Sequence, residues 1–287
     1  MVLMKIRDFL IMMKIGTKFN IKKQYEIYQM VSQQSEITLN DVSSLTVNEK
    51  DCIVLKECFQ SQKLELEIAL NRQNSGILTI IDESYPMNLK EIFCPPTVLF
   101  YRGHLDLMQK NLAGIVGSRL ISKYGQMIVS QLIPVLCHNK IVTVSGLAQG
   151  VDTLAHSHTI KAGGQTIAVI GSGLNKVYPR DNFELQKVIG RDQLLISEYP
   201  ANSAPLRHHF VERNRIIAGL SRSLSVIEAK QHSGSLITAN FALSENRNVL
   251  AVPGSLYSEN SKGCNELISA GARPILSAED IIEETLI

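Results

Sequence analysis

Tryptophan is absent from this chain and only 6% of its residues are aromatic, so any stacking surface must be built from scattered tyrosines and phenylalanines. Nowhere are there the ~18 consecutive apolar residues that a membrane-spanning helix needs, and no membrane association is expected. The opening stretch MVLMKIRDFLIMMK holds an apolar run, FLIMM, that is too short for a signal peptide and has charge on both sides. Five cysteines (Cys52, Cys58, Cys94, Cys137 and Cys264) show no C-x-x-C spacing. They suggest neither a disulfide framework nor a zinc site, and they fit a reducing cytoplasm. Excess charge is missing too. With 29 basic against 27 acidic residues the net charge is +2, so any binding of nucleic acid must come from a local cluster.

Familiar catalytic signatures are also lacking. GIVGSRL (114–120) lacks the opening glycine pair of G-x-G-x-x-G, and IGSGLNKV has no third glycine, so a dinucleotide fingerprint is incomplete. Neither a Walker A loop nor a G-x-S-x-G nucleophile elbow occurs.

What is present falls into three textures. Residues 1–72 carry apolar positions at helical spacing (Phe9, Met12, Met13; Tyr25, Tyr28, Met30) with almost no glycine, which predicts a small helical domain. Residues 73–110 form a lead-in with two β-rich runs, ILTII and TVLFY, around a proline-bearing segment. From residue 111 to 287, short apolar runs (LAGIVGS, KIVTVSG, QTIAVIGSG, QLLISE, SLSVIEA, NVLAVPG) alternate with helix-length segments. Uniformly apolar strands suit a parallel sheet covered on both faces, and the alternation predicts a doubly wound α/β fold. The acidic end, AEDIIEETLI, reads as a short last helix.

In such a sheet, ligands sit outside the carboxyl ends of the strands. Those ends are rich in glycine and serine here, as in Gly117-Ser118-Arg119, Ser145-Gly146 and Gly171-Ser172-Gly173. Backbone can approach a ligand there, and helix starts favour phosphate. Cations gather at the same edge. Arg119 follows the first strand of the alternating region, and KVYPRDNF brings Lys176, Tyr178, Arg180 and Phe183 together. HHFVERNRIIAGLS is expected to place Arg213, Asn214 and Arg215 at a helix start, and HSGSLITANFA to begin another helix with Gly234 and Ser235. Arginines give bidentate phosphate contacts and an aromatic gives a stacking platform, the combination that holds single strands without sequence choice. One of Arg213 and Arg215 is allowed to be a salt-bridge residue, with Glu212 or Glu228 as partner. Asp152 and His156, four apart, share a helix face. They form the main enzymatic loose end; a third ligand has no obvious source, so no metal is expected.

The segments GSRLISKYG, VSGLAQGVDTLAH, GSGLNKVYPRDN, SEYP, FVERNRIIAGLS, EAKQHSGSLITANFALSENRNVLAVPG and GCNELISAGA, in this order over about residues 75–275, resemble the DprA/Smf family of DNA-processing proteins. The resemblance implies an extended Rossmann-like core, doubly wound with a mostly parallel sheet, preceded by a small helical domain similar to a sterile-alpha-motif (SAM-like) domain. It further implies a homodimeric, cytoplasmic protein without catalytic reaction or cofactor. Such a protein binds single-stranded DNA and loads the RecA recombinase onto incoming DNA during natural transformation. Carried over, the DNA site uses Gly117, Ser118, Arg119, Gly146, Lys176, Arg180, Phe183, Arg213, Asn214, Arg215, Gly234 and Ser235. Many relatives have lysine where Arg180 stands. The dimer or partner surface is expected at Leu243, Asn265, Leu267 and Ile268. The sequence ends soon after the core, so the winged-helix extension of some relatives, and a duplex-reading role with it, is not expected. Two alternatives stay open: a nucleotide-processing enzyme of the phosphoribohydrolase-like Rossmann group, and a pure assembly scaffold. Against the enzyme, HSGSLITANFALSE stands where that group carries P-G-G-x-G-T-x-x-E.

Overall fold

A computed structural model of the chain describes residues 3–45 and 48–286. It opens with β1 (Leu3–Lys5), α1 (Ile6–Gly16), α2 (Ile21–Val31), β2 (Glu36–Thr38), α3 (Glu49–Phe59) and α4 (Gln62–Asn74). Side-chain caps set the helix starts: Asn20 accepts from Lys23 N–H at 2.9 Å and Ser61 from Leu64 N–H at 3.2 Å. The run FLIMMK explains the arrangement. Phe9, Leu10, Ile11, Met12, Met13 and Lys14 are all buried, so α1 is covered around its circumference along this run and needs partners on every side. It packs on α2, α3 and α4 and also against the large sheet. The antiparallel β1–β2 ribbon was not foreseen from the sequence. Strands of three residues are too short to show an alternation.

The remainder builds one nine-stranded sheet. Its elements are β3 (Gly76–Thr79), α5 (Met87–Lys90), β4 (Val98–Gly103), β5 (Leu112–Val116), α6 (Lys123–His138), β6 (Val142–Ser145), α7 (Val151–Lys161), β7 (Thr166–Ile170) and α8 (Phe183–Asp192). Then follow β8 (Leu194–Ser197), α9 (Arg207–Leu220), β9 (Ser223–Val226), α10 (Gly234–Ser244), β10 (Asn248–Ala251), α11 (Glu259–Ser269), β11 (Arg273–Pro274) and α12 (Ala278–Leu286). The spatial order is β11-β10-β9-β5-β6-β7-β8-β4-β3. Strands β5 to β11 run parallel, while β4 is antiparallel to β8 and β3 to β4. The expected doubly wound, mostly parallel sheet is therefore present, and the two lead-in strands extend one edge of it.

Strand β5 shows why the sheet is covered twice. Leu112 and Val116 join the apolar cluster of α9, α10 and the amino-terminal helices. Ala113 and Ile115, on the opposite face, join that of α6, α7 and α12. The chain winds outward from β5 through β6, β7 and β8, then α9 crosses back so that β9 pairs with the other side of β5. Strand order reverses between β5 and β9, and the carboxyl ends of all these strands face one edge.

One buried charge cluster joins the helical domain to this sheet. Glu198, just past β8, accepts from Lys14 Nζ at 3.2 Å and from Arg215 Nη2 at 2.5 Å. All three residues are buried. Arg215 also donates to the Cys94 carbonyl at 2.7 Å. Burial pushes the Glu198 carboxyl up, but Arg215 and Lys14 outweigh it and hold the group below the usual carboxylate range. Burial lowers the Lys14 ammonium even though Glu198 opposes the shift. Around the cluster, Arg7 binds Asp82 at 2.9 Å and the Ile77 carbonyl at 2.8 Å, and Asn71 accepts from Ala201 N–H at 2.8 Å. Removing the shared carboxylate strands two buried cations. Glu198→Ala is therefore expected to cost about 3–5 kcal/mol in urea unfolding. Lys14→Met leaves Arg215 paired and should cost no more than about 1 kcal/mol. Equal losses in the two variants would show that Glu198 is not the hub.

Candidate nucleic-acid interface

The centre of the strand-end edge is organised by an arginine that the fold buries. Arg213 lies in the middle of α9, which begins at Arg207, and not at a helix start as the sequence suggested. Only 4% of it is exposed. Its Nη1 donates to the Gly146 carbonyl and, at 2.5 Å, to the Val169 carbonyl, so it bridges the ends of β6 and β7. The Arg213 guanidinium fills the space that a side chain at Gly146 would need. From the other side the Asp152 carboxylate accepts from Gly146 N–H at 3.1 Å and Ala148 N–H at 3.3 Å. Burial pushes the Arg213 guanidinium down to about 10. Asp152 resists the shift, and the nearby positive charge of Arg119 adds to it. The Arg213 Nη1 bonds go to neutral carbonyl oxygens, and Asp152 is the opposing charge nearby.

Above Arg213 opens a cleft of about 560 Å³ whose lining includes Arg119, Gly171, Tyr178, Arg180 and Phe210. Arg119 reaches it because of a neighbouring turn. Gly150 has φ +78°, and a Cβ on it would sit 2.2 Å from the Ser118 carbonyl and 2.6 Å from that of Arg119. Val151 N–H donates to the Ser118 carbonyl at 3.1 Å, which locks the β5 loop against the start of α7. Arg119 and Arg180 are both exposed, and among the described residues neither has a carboxylate within ion-pair distance. The Tyr178 ring packs 5.2 Å from that of Phe210 and keeps 47% of its surface exposed. Asp181 is the one acidic residue in the lining, approached by Gln149 Nε2 at 3.4 Å.

The sequence-predicted residues divide against this geometry. Arg119, Gly146, Arg180 and Arg213 meet at the cleft. Gly117 and Ser118 lie behind Arg119; a Cβ on Gly117 would press on Val151, and Ser118 Oγ accepts from Leu120 N–H. Lys176 is exposed beside the cleft, and Phe183 opens into a neighbouring cavity. Asn214 donates to the Gly234 carbonyl at 3.4 Å. Arg215 is a correction: its guanidinium is buried against Glu198, just past the end of β8, and it does not line the cleft. Gly234 and Ser235 begin α10 as expected and lie outside the lining of the cleft. On the expected partner surface, Leu243 is exposed and Ile268 half-buried. Leu267, 9% exposed, packs into the core, and Asn265 is tied to Gly254 N–H and carbonyl. These two support that surface from within. The predicted site set omitted Gly150, Tyr178 and Phe210. A glycine directly before a helix was the available signal for Gly150, and Tyr178 stood beside Arg180 in the basic loop.

The same edge explains why the GIVGSRL loop is no dinucleotide site. The start of α6 lies at the reversal point, where a Rossmann protein binds phosphate. Here Glu228 occupies it: its carboxylate accepts from Ser122 N–H at 2.9 Å and from the Ser122 hydroxyl. A Cβ on Gly125 would come within 2.7 Å of Glu228 Cδ. The protein supplies its own anion to that helix, and the open cleft lies over β6 and β7 instead.

Asp152 and His156 do share a face of α7, and both are buried. His156 Nδ1 lies 2.7 Å from Thr166 Oγ1 within a network of Thr143, Thr159 and Thr166. Among the described residues no three His, Cys, Asp or Glu side chains gather into a metal-binding group. Burial, helped by Arg213, pushes the imidazole down to about 3. A folded-state value below the unfolded 6.5 gives stability that is complete above pH 6.5 and lost as the pH falls toward 3. His156→Gln removes this linkage. Between pH 6.5 and about 4, wild-type stability should fall more steeply than the variant's by about 1.4 kcal/mol per pH unit in urea unfolding. Parallel curves would mean that the imidazole is not held neutral.

Comparison with known proteins agrees with this architecture. DNA processing protein DprA of Streptococcus pneumoniae is 42% identical over 268 residues, covering 93% of each chain. The X-ray structure of DprA from that organism superposes with a TM-score of 0.91 at 39% identity, covering 98% of this chain and 99% of that one. A Helicobacter pylori DprA structure, described for its single-stranded DNA binding mode, matches with a TM-score of 0.66 and 28% identity over 74% of this chain and 95% of its own. The family described as DNA recombination-mediator protein A matches residues 76–286. The sheet, its strand-end cleft and these matches together place the chain in the DprA/Smf family of DNA recombination mediators.

Proposed function

We propose that this protein binds single-stranded DNA in the strand-end cleft and acts there as a recombination mediator. The observation that carries the reading is the convergence of Arg119, Arg180 and Arg213 on one cleft whose lining holds a single acidic residue, Asp181, next to the exposed Tyr178 ring. Phosphate is the ligand that satisfies uncompensated guanidinium groups, and an exposed ring accepts any base by stacking. The Helicobacter pylori relative with a described single-stranded DNA binding mode supports the choice of ligand. Lys176 extends the positive rim, and Phe183 offers a further ring, 51% exposed.

We read the cleft as a binding site without chemistry of its own. Asp152 is engaged by two backbone N–H groups and His156 is sealed beneath the sheet edge, so neither is free to act as a base on a ligand. The family membership supports a wider role: a homodimer in the cytoplasm that shields incoming DNA during natural transformation and loads the RecA recombinase onto it. Leu243, exposed on α10, is the candidate partner contact.

The test is a titration of labelled oligo-dT and a matching duplex against wild type and the Arg119→Ala/Arg180→Ala variant at two salt concentrations. Single-strand preference is expected. The double variant should lose at least about tenfold in affinity, and its log–log salt slope should flatten by ~1.4, about 0.7 per lost phosphate contact. Unchanged binding by the variant would remove these arginines from the site.

A further inference from the structure

The segment that brings Tyr178 and Arg180 to the cleft is a loop, and a loop keeps one shape only where its backbone is tied to rigid elements. Here the tie leads to the end of α4. Arg102, on β4, donates from Nε to the Asn74 carbonyl at 2.9 Å, from Nη1 to the Leu174 carbonyl at 3.0 Å and from Nη2 to the Asn175 side chain. Asn74 is the last residue of α4, and the final carbonyls of a helix lack partners within it and lie at the negative end of its dipole. A guanidinium suits that end in charge and in hydrogen bonding, and its planar fork leaves donors over for the loop. A second tie runs beside the first. Asn71, also on α4, accepts from Ala201 N–H in the loop after β8 at 2.8 Å. The two loops are bonded to each other, with Asn175 N–H on the Ala201 carbonyl at 2.8 Å and Gly173 N–H on the Ser203 carbonyl at 2.9 Å. Asn175 Nδ2 adds a bond to Asn202 Oδ1 at 3.0 Å. Gly173 permits this approach, since a Cβ on it would lie 2.1 Å from the Pro200 carbonyl oxygen. Both loops then reach the cleft, the first with Tyr178 and Arg180 and the second with Pro205. Arg102 is not among the residues that line it.

We propose that Arg102 is a positioning residue for the cleft: by tying the end of α4 to the loop after β7, it holds Tyr178 and Arg180 where a strand meets them, without touching the strand. The proposal rests on the reading of the cleft as a single-strand site. It gives the helical domain a part in DNA binding that is exerted through backbone bonds and not through a surface of its own. Without the clamp, the loop pays its ordering cost each time a strand binds, and affinity falls although every DNA-facing side chain is still present. Lysine at position 102 separates position from charge. It keeps the positive charge, but an ammonium on a flexible stem has no planar fork to bridge Asn74, Leu174 and Asn175 together. Asn175 supplies the same test from the other side of the clamp, on an exposed loop position.

The experiment is fluorescence anisotropy of labelled oligo-dT of about twelve nucleotides with wild type, Arg102→Gln, Arg102→Lys and Asn175→Ala, each checked for folding by urea titration. All three variants should lose affinity roughly three- to tenfold, the cost of ordering one or two side chains on binding. The loss from Arg102→Gln should shrink to less than about twofold in a Tyr178→Ala/Arg180→Ala background, where the positioned groups are gone. In an Arg119→Ala background it should keep its full size, because Arg119 stands on the β5 loop. Asn175→Ala carries the same comparison if Arg102→Gln does not fold. Wild-type affinity in Arg102→Lys would show that the residue acts by charge and overturn the proposal. Equal losses in the two backgrounds would overturn it as well, by showing a general effect on the fold. If every variant binds like wild type, the clamp is refuted while the cleft stands. If wild type itself binds no oligonucleotide, the cleft assignment fails and the proposal with it.

Discussion

The Glu198 carboxylate between Lys14 and Arg215 is the contact on which the rest of the molecule turns. It lies 184 residues from Lys14 and 17 from Arg215, so its two bonds fix α1, the end of β8 and α9 in a single place. Three buried charges are expensive to desolvate, and an apolar cluster of the same size would hold the domains together at least as well. What the charges add is direction. Arg215 is held on one side of α9 by Glu198 and the Cys94 carbonyl. Arg213, two residues earlier and so about 200° around the helix, is held on the other by Gly146 and Val169. Neither the tilt nor the rotation of α9 can change without breaking one set. The helical domain thereby bears on the cleft although it supplies no residue to its lining.

A second constraint decides where on the edge a ligand can go. Doubly wound sheets offer their reversal point, here between β5 and β9, together with the start of the helix after β5. In this chain Glu228 fills that place and Gly125 leaves room for it. A phosphate approaching α6 would meet a carboxylate already bonded to Ser122. The Asp152 carboxylate plays a similar part at the β6 loop, taking the Gly146 and Ala148 N–H groups. With backbone amides at both loops spent on internal anions, anion binding falls to the guanidinium groups. These reach farther and suit a chain of phosphates better than a single cofactor does.

The strands were legible because each is a short, uniformly apolar run ended by small residues, a pattern that survives without knowledge of neighbours. The start of α9 was not. Pro205 and Leu206 precede it, no side chain caps it, and its apolar stripe begins only at Ile216, so the first turns look like loop. That misplacement made Arg213 and Arg215 equivalent on paper. Their separation depends on Lys14, Cys94 and Glu198, all distant in sequence, and local spacing carries no trace of such contacts. Gly146 could be read as a close-approach glycine, but not that the approaching group is the protein's own arginine. FLIMM was recognisable as an apolar run. That it is the central helix of its domain shows only in the number of elements packed around it.

On the proposed function, the two kinds of arginine at the cleft divide the work of holding a polymer. Arg213 is buried and held by two carbonyls, so bringing a phosphate to it costs little side-chain entropy. Arg119 and Arg180 are exposed and can follow a flexible chain, at the cost of ordering them. A site made only of fixed charges would demand one backbone geometry of the strand. One made only of mobile charges would bind weakly and steeply with salt. Asp181, placed among them, repels phosphate from its own side of the cleft and so favours a track along Arg119 and Arg213. Because no side chain in the arrangement has to match the edge of a base, the affinity it generates belongs to the backbone and to stacking. That is what a mediator requires if it is to accept any sequence presented to it.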